Sequence, residues 1–346
     1  MDRKLQEIFA SDEGDETGIA RASLINLAIY SEDPETLAAD AENLARIVEE
    51  AACRSILISA NSAGDVSARS WVQAHCQVLG RDERKSVCTE QLAFQLTGAT
   101  PGLVRNTVFA HLDSDLPLVF WWRGDFSEAF SDRLYTRIDR LIFDSEHWTE
   151  PRSQFLRLKR SLSEDNSSFV PHDLSFTRLN PIRTGIAKCF DNVRAKQETG
   201  RIEEINVSFG NEARMSAIYF AAWAASRLGC ELDPDASSEG EFRFRRRRSG
   251  ERAPLQIRLH PGESGIGGEI EEVELFSPDS EFRLRRCEKK VFWELTSQIG
   301  GGAETVELLP THKPDDAFLV AEILQRGGRN RVLCDVLPVV REMLLV

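Results

Sequence analysis

The sequence is poor in the residues that would support a disulfide framework, a metal centre or a membrane anchor. Its seven cysteines, at positions 53, 76, 88, 189, 230, 287 and 334, are odd in number, widely spread and never in a Cys-x-x-Cys pair. That pattern argues against cross-links and structural zinc, and makes a reducing cytoplasm the expected compartment. Six histidines, at 75, 111, 147, 172, 260 and 312, show no metal-binding spacing, so no metal is expected. The longest apolar run, Ala217–Ala225, is about nine residues, well short of the ~20 a bilayer demands. The N-terminal residues lack the apolar core of a signal peptide. Positive charge is in deficit, 43 Lys+Arg against 56 Asp+Glu for a net charge of −13. A nucleic acid or an anionic membrane is therefore not expected as the main partner.

Catalytic and nucleotide signatures are missing too. There is no Gly-x-Ser-x-Gly and no Gly-x-Gly-x-x-Gly after a strand. The only cysteine beside a histidine, Cys76 next to His75, falls in a stretch that reads as a solvated helix. The turn after the first clear strand is Ser31-Glu-Asp-Pro34, acidic where a phosphate needs glycine and bare amides. The glycine-rich stretch Gly262–Gly268 joins two strands and opens no helix. No catalytic residue and no cofactor is expected.

What is present is patterned for a folded protein. With 346 residues, 41% apolar and 29% charged, the chain exceeds what one core holds, about 250 residues, and has a globular composition. Ser23–Tyr30 reads as a buried strand, Asp33-Pro34 as a helix start, and Leu37, Leu44, Ile47 and Val48 as one helix face. Ser55–Ser59 is a second strand, which completes a βαβ unit. Lys85–Thr97 reads as an edge strand, Pro101–Leu112 and Phe126–Ile138 as helices, and Pro151–Leu162 as another. Pro117–Trp122 is a central strand covered on both faces, and Arg140–Asp144 its sequel.

The second half has another texture. After a helix over Asn180–Gln197 come a strand, Ile202–Phe209, and an Ala-rich helix, Glu212–Leu228. The strands Phe242–Arg246, Leu255–His260, Ile270–Phe276, Phe282–Cys287, Val291–Thr296 and Glu304–Leu309 follow without helices between them, then two closing helices, Pro314–Gln325 and Asn330–Leu345. The expected organisation is an acidic tail at 1–19, a layered α/β domain with a mostly parallel sheet at 20–165, a bridging segment and helix at 166–200, and an α+β domain with a largely antiparallel sheet at 201–346. A turn at Ser277–Ser280 predicts Glu274 opposite Arg283, Glu272 opposite Arg285, and Leu275 with Phe282 on the buried face. A turn at Ser249-Gly250 predicts Phe244 opposite Ile257 and Arg243 opposite Arg258, with Arg258 beside Glu274. The row Arg243–Arg258–Glu274–Arg283 then crosses the open face, and its Arg–Arg neighbours call for an anion above them.

Two groups of residues could carry chemistry. The carboxyl ends of the parallel strands supply Asn61, Trp122, Arg123, Asp125, Asp144 and Ser145, an indole, a guanidinium and carboxylates that would suit a sugar phosphate or a nucleotide if Asn61, Arg123 and Asp144 met in one crevice. The competing reading is capping of the following helices by Asn61, Asp144 and Ser145, with Trp122 in the core. The run Phe242–Arg248 interleaves Phe242 and Phe244 with Arg243 and Arg245. Nucleic-acid readout needs aromatics and arginines on one face, whereas here they alternate, so Arg243, Arg245, Arg258 and Arg283 read as a charge-paired sheet face or a docking surface for an acidic partner.

Five segments carry a resemblance. They are Arg21–Leu27, Asp115-Leu-Pro-Leu-Val-Phe-Trp-Trp-Arg-Gly124, Arg140-Leu-Ile-Phe-Asp-Ser145, Asp173-Leu-Ser-Phe-Thr-Arg-Leu-Asn-Pro-Ile-Arg183, and the helix Ala217–Gly229. In order and spacing the chain resembles the OpcA family, the glucose-6-phosphate dehydrogenase assembly proteins, with Arg123 where the family commonly has proline. The resemblance implies a non-catalytic partner that promotes assembly and activation of glucose-6-phosphate dehydrogenase in the oxidative pentose phosphate pathway. Some members are redox-controlled through cysteines, but no motif here passes that role to any of the seven. On this reading the contact surface comprises Trp122, Arg123, Asp125, Asp173, Arg178 and Arg183, with Trp122 as an aromatic anchor.

Overall fold

Strand pairing in the computed structural model settles which apolar runs lie side by side. It describes residues 18–21, 24–79, 85–112, 115–247, 253–262, 269–287, 292–310 and 315–346. Most of the expected acidic tail and glycine-rich loop, and the turn at Ser249-Gly250, lie outside these residues. The chain forms two units. The first holds residues 1–149, 156–174 and 315–329, and the second holds 150–155, 175–314 and 330–346.

The first unit is built on an eight-stranded sheet of β1 (Gly18–Arg21), β2 (Asn26–Ser31), β3 (Arg54–Ala60), β4 (Ser67–Leu79), β5 (Lys85–Thr97), β6 (Leu118–Trp122), β7 (Arg140–Phe143) and β8 (Val170–Asp173). Its order is β1-β5-β3-β2-β6-β7-β8, with β4 paired to β5. Every pairing is parallel except β4 with β5. Both faces of the central strands are buried, as crossovers demand. Leu27, Ile29, Leu57, Val119 and Trp121 face a layer made by helix α1 (Leu37–Glu50) and the late helix Asp316–Gln325. Alternate residues point the other way, where Tyr30, Phe120 and Trp122 cluster with Phe126 and Phe130. Asp33 starts the first crossover as expected, its carboxylate accepting from the Glu35 amide at 2.9 Å, and Thr100 caps helix α2 (Pro101–Phe109).

Three expectations are corrected here. β5 is no edge, because β4 runs antiparallel along its whole length. The same pairing makes His75 and Cys76 part of a strand rather than of a solvated helix. Residues 126–138 give one helical turn, α3 (Asp132–Tyr135), not a helix. Phe126 and Phe130, spaced as on a helix, instead stack with ring centroids 4.2 Å apart.

The second unit carries an eight-stranded sheet ordered β10-β11-β12-β9-β13-β14-β15-β16. These are β9 (Glu204–Phe209), β10 (Cys230–Leu232), β11 (Glu241–Arg246), β12 (Leu255–Pro261), β13 (Ile270–Ser277), β14 (Ser280–Arg286), β15 (Phe292–Gln298) and β16 (Thr305–Pro310). Only β12 and β9 pair in parallel. Strands such as β11 and β14 alternate buried and accessible residues, so one face packs on helices and the other is open. The helix expected over 180–197 is broken: Asn180–Cys189 ends, and Asn192 caps a second helix, Val193–Glu198.

The register around Ser277–Ser280 is as expected, with Glu274 opposite Arg283, Glu272 opposite Arg285 and Leu275 opposite Phe282. The other hairpin is displaced by two residues: Phe242 faces Ile257, Phe244 faces Leu255, and Glu241 rather than Arg243 faces Arg258. β9 also lies between β12 and β13, so Asn206 separates Arg258 from Glu274. The open-face row is Glu241–Arg258–Asn206–Glu274–Arg283, and it needs no anion over paired arginines.

Candidate functional site

β2 has β3 and β5 on one side and β6, β7 and β8 on the other. This is the doubly wound order whose switch point, beyond the carboxyl ends of the strands, receives dinucleotides in enzymes with a glycine-rich first turn. A crevice of about 480 Å³ opens there, floored by Trp121 and Trp122 and walled by Glu32, Asp33, Arg123, Asp125 and Asp144. The first turn holds it shut to phosphate. Ser31 Oγ accepts from the Asp33 amide at 3.1 Å, Thr36 Oγ1 donates to Ser31 Oγ at 2.8 Å, and Glu32 accepts from Tyr30 Oη at 2.6 Å and from the Ser127 hydroxyl. Burial and the Glu32 carboxylate push the Tyr30 phenol far above its ordinary pKa, so it stays a donor.

Arg123 is the cation of the crevice, and it is committed inward. Its Nη1 lies 2.9 Å from Asp316 and its Nε 3.3 Å from Asp40, while its guanidinium sits 4.7 Å over the Trp121 ring. Asp40 is fully buried. Desolvation raises its pKa and the neighbouring guanidinium opposes that rise. The other carboxylates brace their own loops. Asp125 accepts from the Thr149 amide at 2.9 Å, and Asp144 accepts from the Glu146 amide at 3.3 Å and faces His147 at 3.6 Å.

The expected site residues divide between these places. Trp122 is fully buried, its Nε1 donating to the Asp125 carbonyl at 2.9 Å, so its ring is core and not an exposed anchor. Asp173 is likewise buried, accepting from the Ser145 amide at 3.2 Å. Asn61 turns onto its own loop, accepting from the Ala63 amide at 2.8 Å, and Ser145 is buried. Neither lines the crevice, so Asn61, Arg123 and Asp144 do not meet in one pocket. Arg178 is half-buried, and the Arg183 guanidinium lies over the Phe176 ring, 3.9 Å from its centroid, and donates to Asn180 Oδ1.

On the second sheet the basic face is largely neutralised by its own carboxylates. Arg258 pairs with Glu204 at 2.5 Å, Arg245 with Asp233 at 3.3 Å, and Arg283 with Glu274 at 2.8 Å and Glu281 at 3.0 Å. Arg243 is exposed and has no ion pair among the described residues. Burial pushes the Cys53 and Cys189 thiols up to about 12, which keeps both protonated at neutral pH. Among the described residues no three metal-ligating side chains converge, and no helix is long and apolar enough to cross a membrane.

Family models match both halves of the chain, the glucose-6-phosphate dehydrogenase subunit N-terminal domain over residues 45–160 and the C-terminal domain over 170–337. The chain belongs to the OpcA family. Among OpcA relatives, the Synechococcus elongatus protein, provisionally named OxPP cycle protein OpcA, is 22% identical over 83% of this chain and 67% of its own length. The like-named Nostoc punctiforme protein is 26% identical over 53% of this chain, and that match spans only 40% of the relative. A solved levoglucosan dehydrogenase, in complex with NADH and levoglucosan, aligns at TM-score 0.49 and 9% identity over 94% of this chain and 96% of its own. A likeness at that level bears on neither activity nor ligand. The segments that carry the OpcA resemblance fall on the start of β2, on β6 and β7, on the end of β8 with the helices Leu174–Arg178 and Asn180–Cys189, and on the buried helix Arg214–Arg227.

Proposed function

We propose that this OpcA-family chain is a cytoplasmic, non-catalytic assembly factor and activator of glucose-6-phosphate dehydrogenase that works by protein–protein binding. The observation that carries this reading is the crevice at the sheet switch point. The fold offers its customary ligand position there, yet the first turn is acidic and closed on itself, and the one guanidinium is held by Asp40 and Asp316. An anionic cofactor placed there meets the carboxylates of Glu32, Asp33, Asp125 and Asp144.

The mechanism that follows is a population shift. A partner that binds the active form of an enzyme preferentially raises that form's share by its differential affinity alone, and mass action stabilises the assembled oligomer. The surfaces proposed for contact are the Arg123–Asp125 loop in the first unit and, in the second, the segment that carries Arg178 and Arg183, where Arg183 stacks on Phe176 and donates to Asn180. Co-purification with the host's glucose-6-phosphate dehydrogenase, followed by its rate with and without this protein, is the test. Retention of the enzyme and a higher rate are expected; no complex and an unchanged rate would refute the reading. Arg178→Ala should weaken activation, whereas unchanged activation with a lower melting temperature would assign Arg178 a purely structural role.

A further inference from the structure

A second cavity lies in the first unit, between α2 and the turn that contains α3. It measures about 890 Å³, and Arg105, Arg133 and Arg137 converge on it with the amides Asn106 and Asn166; Asp132 supplies its one carboxylate. None of the three arginines has an ion pair among the described residues. Arg105 reaches only the Asn106 side-chain oxygen, at 3.4 Å, and Arg137 is laid over the Phe109 ring at 4.8 Å.

Carboxylates outnumber cations, 56 to 43, and some exposed arginines find one, as Arg46 does with Asp315 and Arg214 with Glu239, whereas these three share one groove that a single carboxylate lines. Three like charges left together repel one another until an anion joins them. The guanidinium is a planar fork that meets phosphate oxygens in pairs, and stacking on an aromatic ring holds it ready to do so. Neutral amide donors on two sides suit the remaining oxygens, and the volume falls in the range of small-molecule sites.

We propose that this groove is a binding site for a small phosphorylated anion, such as a phosphate ester or pyrophosphate. It does not depend on the dehydrogenase reading, since it lies on other residues. An acidic peptide is the competing occupant; its single carboxylates would leave the forks half used.

Calorimetric titration of the full chain with inorganic pyrophosphate, and separately with a glutamate-rich peptide, tests this. Saturable pyrophosphate binding that weakens with salt is expected, at least tenfold weaker in Arg133→Ala/Arg137→Ala and in Arg105→Gln, and unchanged in the Arg243→Ala control. The Arg133→Lys/Arg137→Lys variant keeps both charges but should also bind more weakly, because the forks are gone. All these positions are at least partly accessible, and each variant's melting curve reports its folding. No pyrophosphate binding at millimolar concentration, equal affinity in the arginine variants, or tighter binding of the peptide would overturn the proposal.

Discussion

His172 is buried on β8, where burial and the nearby Arg140 cation hold its pKa down at about 4. In the unfolded chain the imidazole returns to its ordinary value of about 6.5. As pH falls through that value, the unfolded state takes up a proton that the folded state refuses until about pH 4, so stability is lost across this window. The full difference amounts to about 3 kcal/mol. Urea midpoints measured from pH 7 to 4 should therefore fall more steeply for the native chain than for His172→Gln, and parallel curves would contradict the assignment. Little of this was legible beforehand, since a lone histidine carries no mark of its burial. Asp33 was legible, because a short acceptor before proline is a local signal. Trp122 allows two readings from sequence, core and exposed anchor, and the packing decides for the core; Asp173, read as part of a contact surface, is buried as well.

The helix Asn180–Cys189 shows how close an element can come to its sheet. A Cβ on Gly185 would stand 3.2 Å from Leu284 and 3.2 Å from Leu309, so the bare backbone sets the approach. Gly185→Val should lower unfolding free energy by about 2 kcal/mol, the scale of overpacking a core. Gly185→Ala should cost less, since helix propensity returns up to about 1 kcal/mol. Denaturant titration of both variants checks the order. At this scale the sequence was readable wherever the signal is local. The β13–β14 register follows from a short turn and two patterned faces. The β11–β12 register slipped by two, which preserves the faces, and so Phe242 and Phe244 were still read as interior. The placement of β9 between β12 and β13 has no local signal at all, because a parallel neighbour is chosen by the whole sheet. The basic groove has no local signal either, because Arg105 lies on α2 whereas Arg133 and Arg137 lie in the turn around α3, and only the fold brings them together.

At the scale of the whole molecule, both sheet types were expected from texture, one parallel and alternating with helices, the other antiparallel. The late return of the chain was not. Helix Asp316–Gln325 belongs to the first unit, where Leu319, Val320 and Ile323 cover the same layer as Leu44 and Ile47 of α1. Val320→Asp places an unpaired carboxylate in that layer. Its effect on hydrogen exchange should appear first at β2 and β3, far away in sequence, while β13 and β14 keep their protection. Equal loss in both sheets would contradict that assignment.

The same return governs how the protein is made. As the nascent chain leaves the ribosome, the early strands and α1 emerge with an apolar flank still bare. Its cover is not synthesised until residues 175–314 have been translated. Domain-by-domain maturation during translation is therefore closed to the first unit, and the exposed flank gives chaperones a defined interval in which to act.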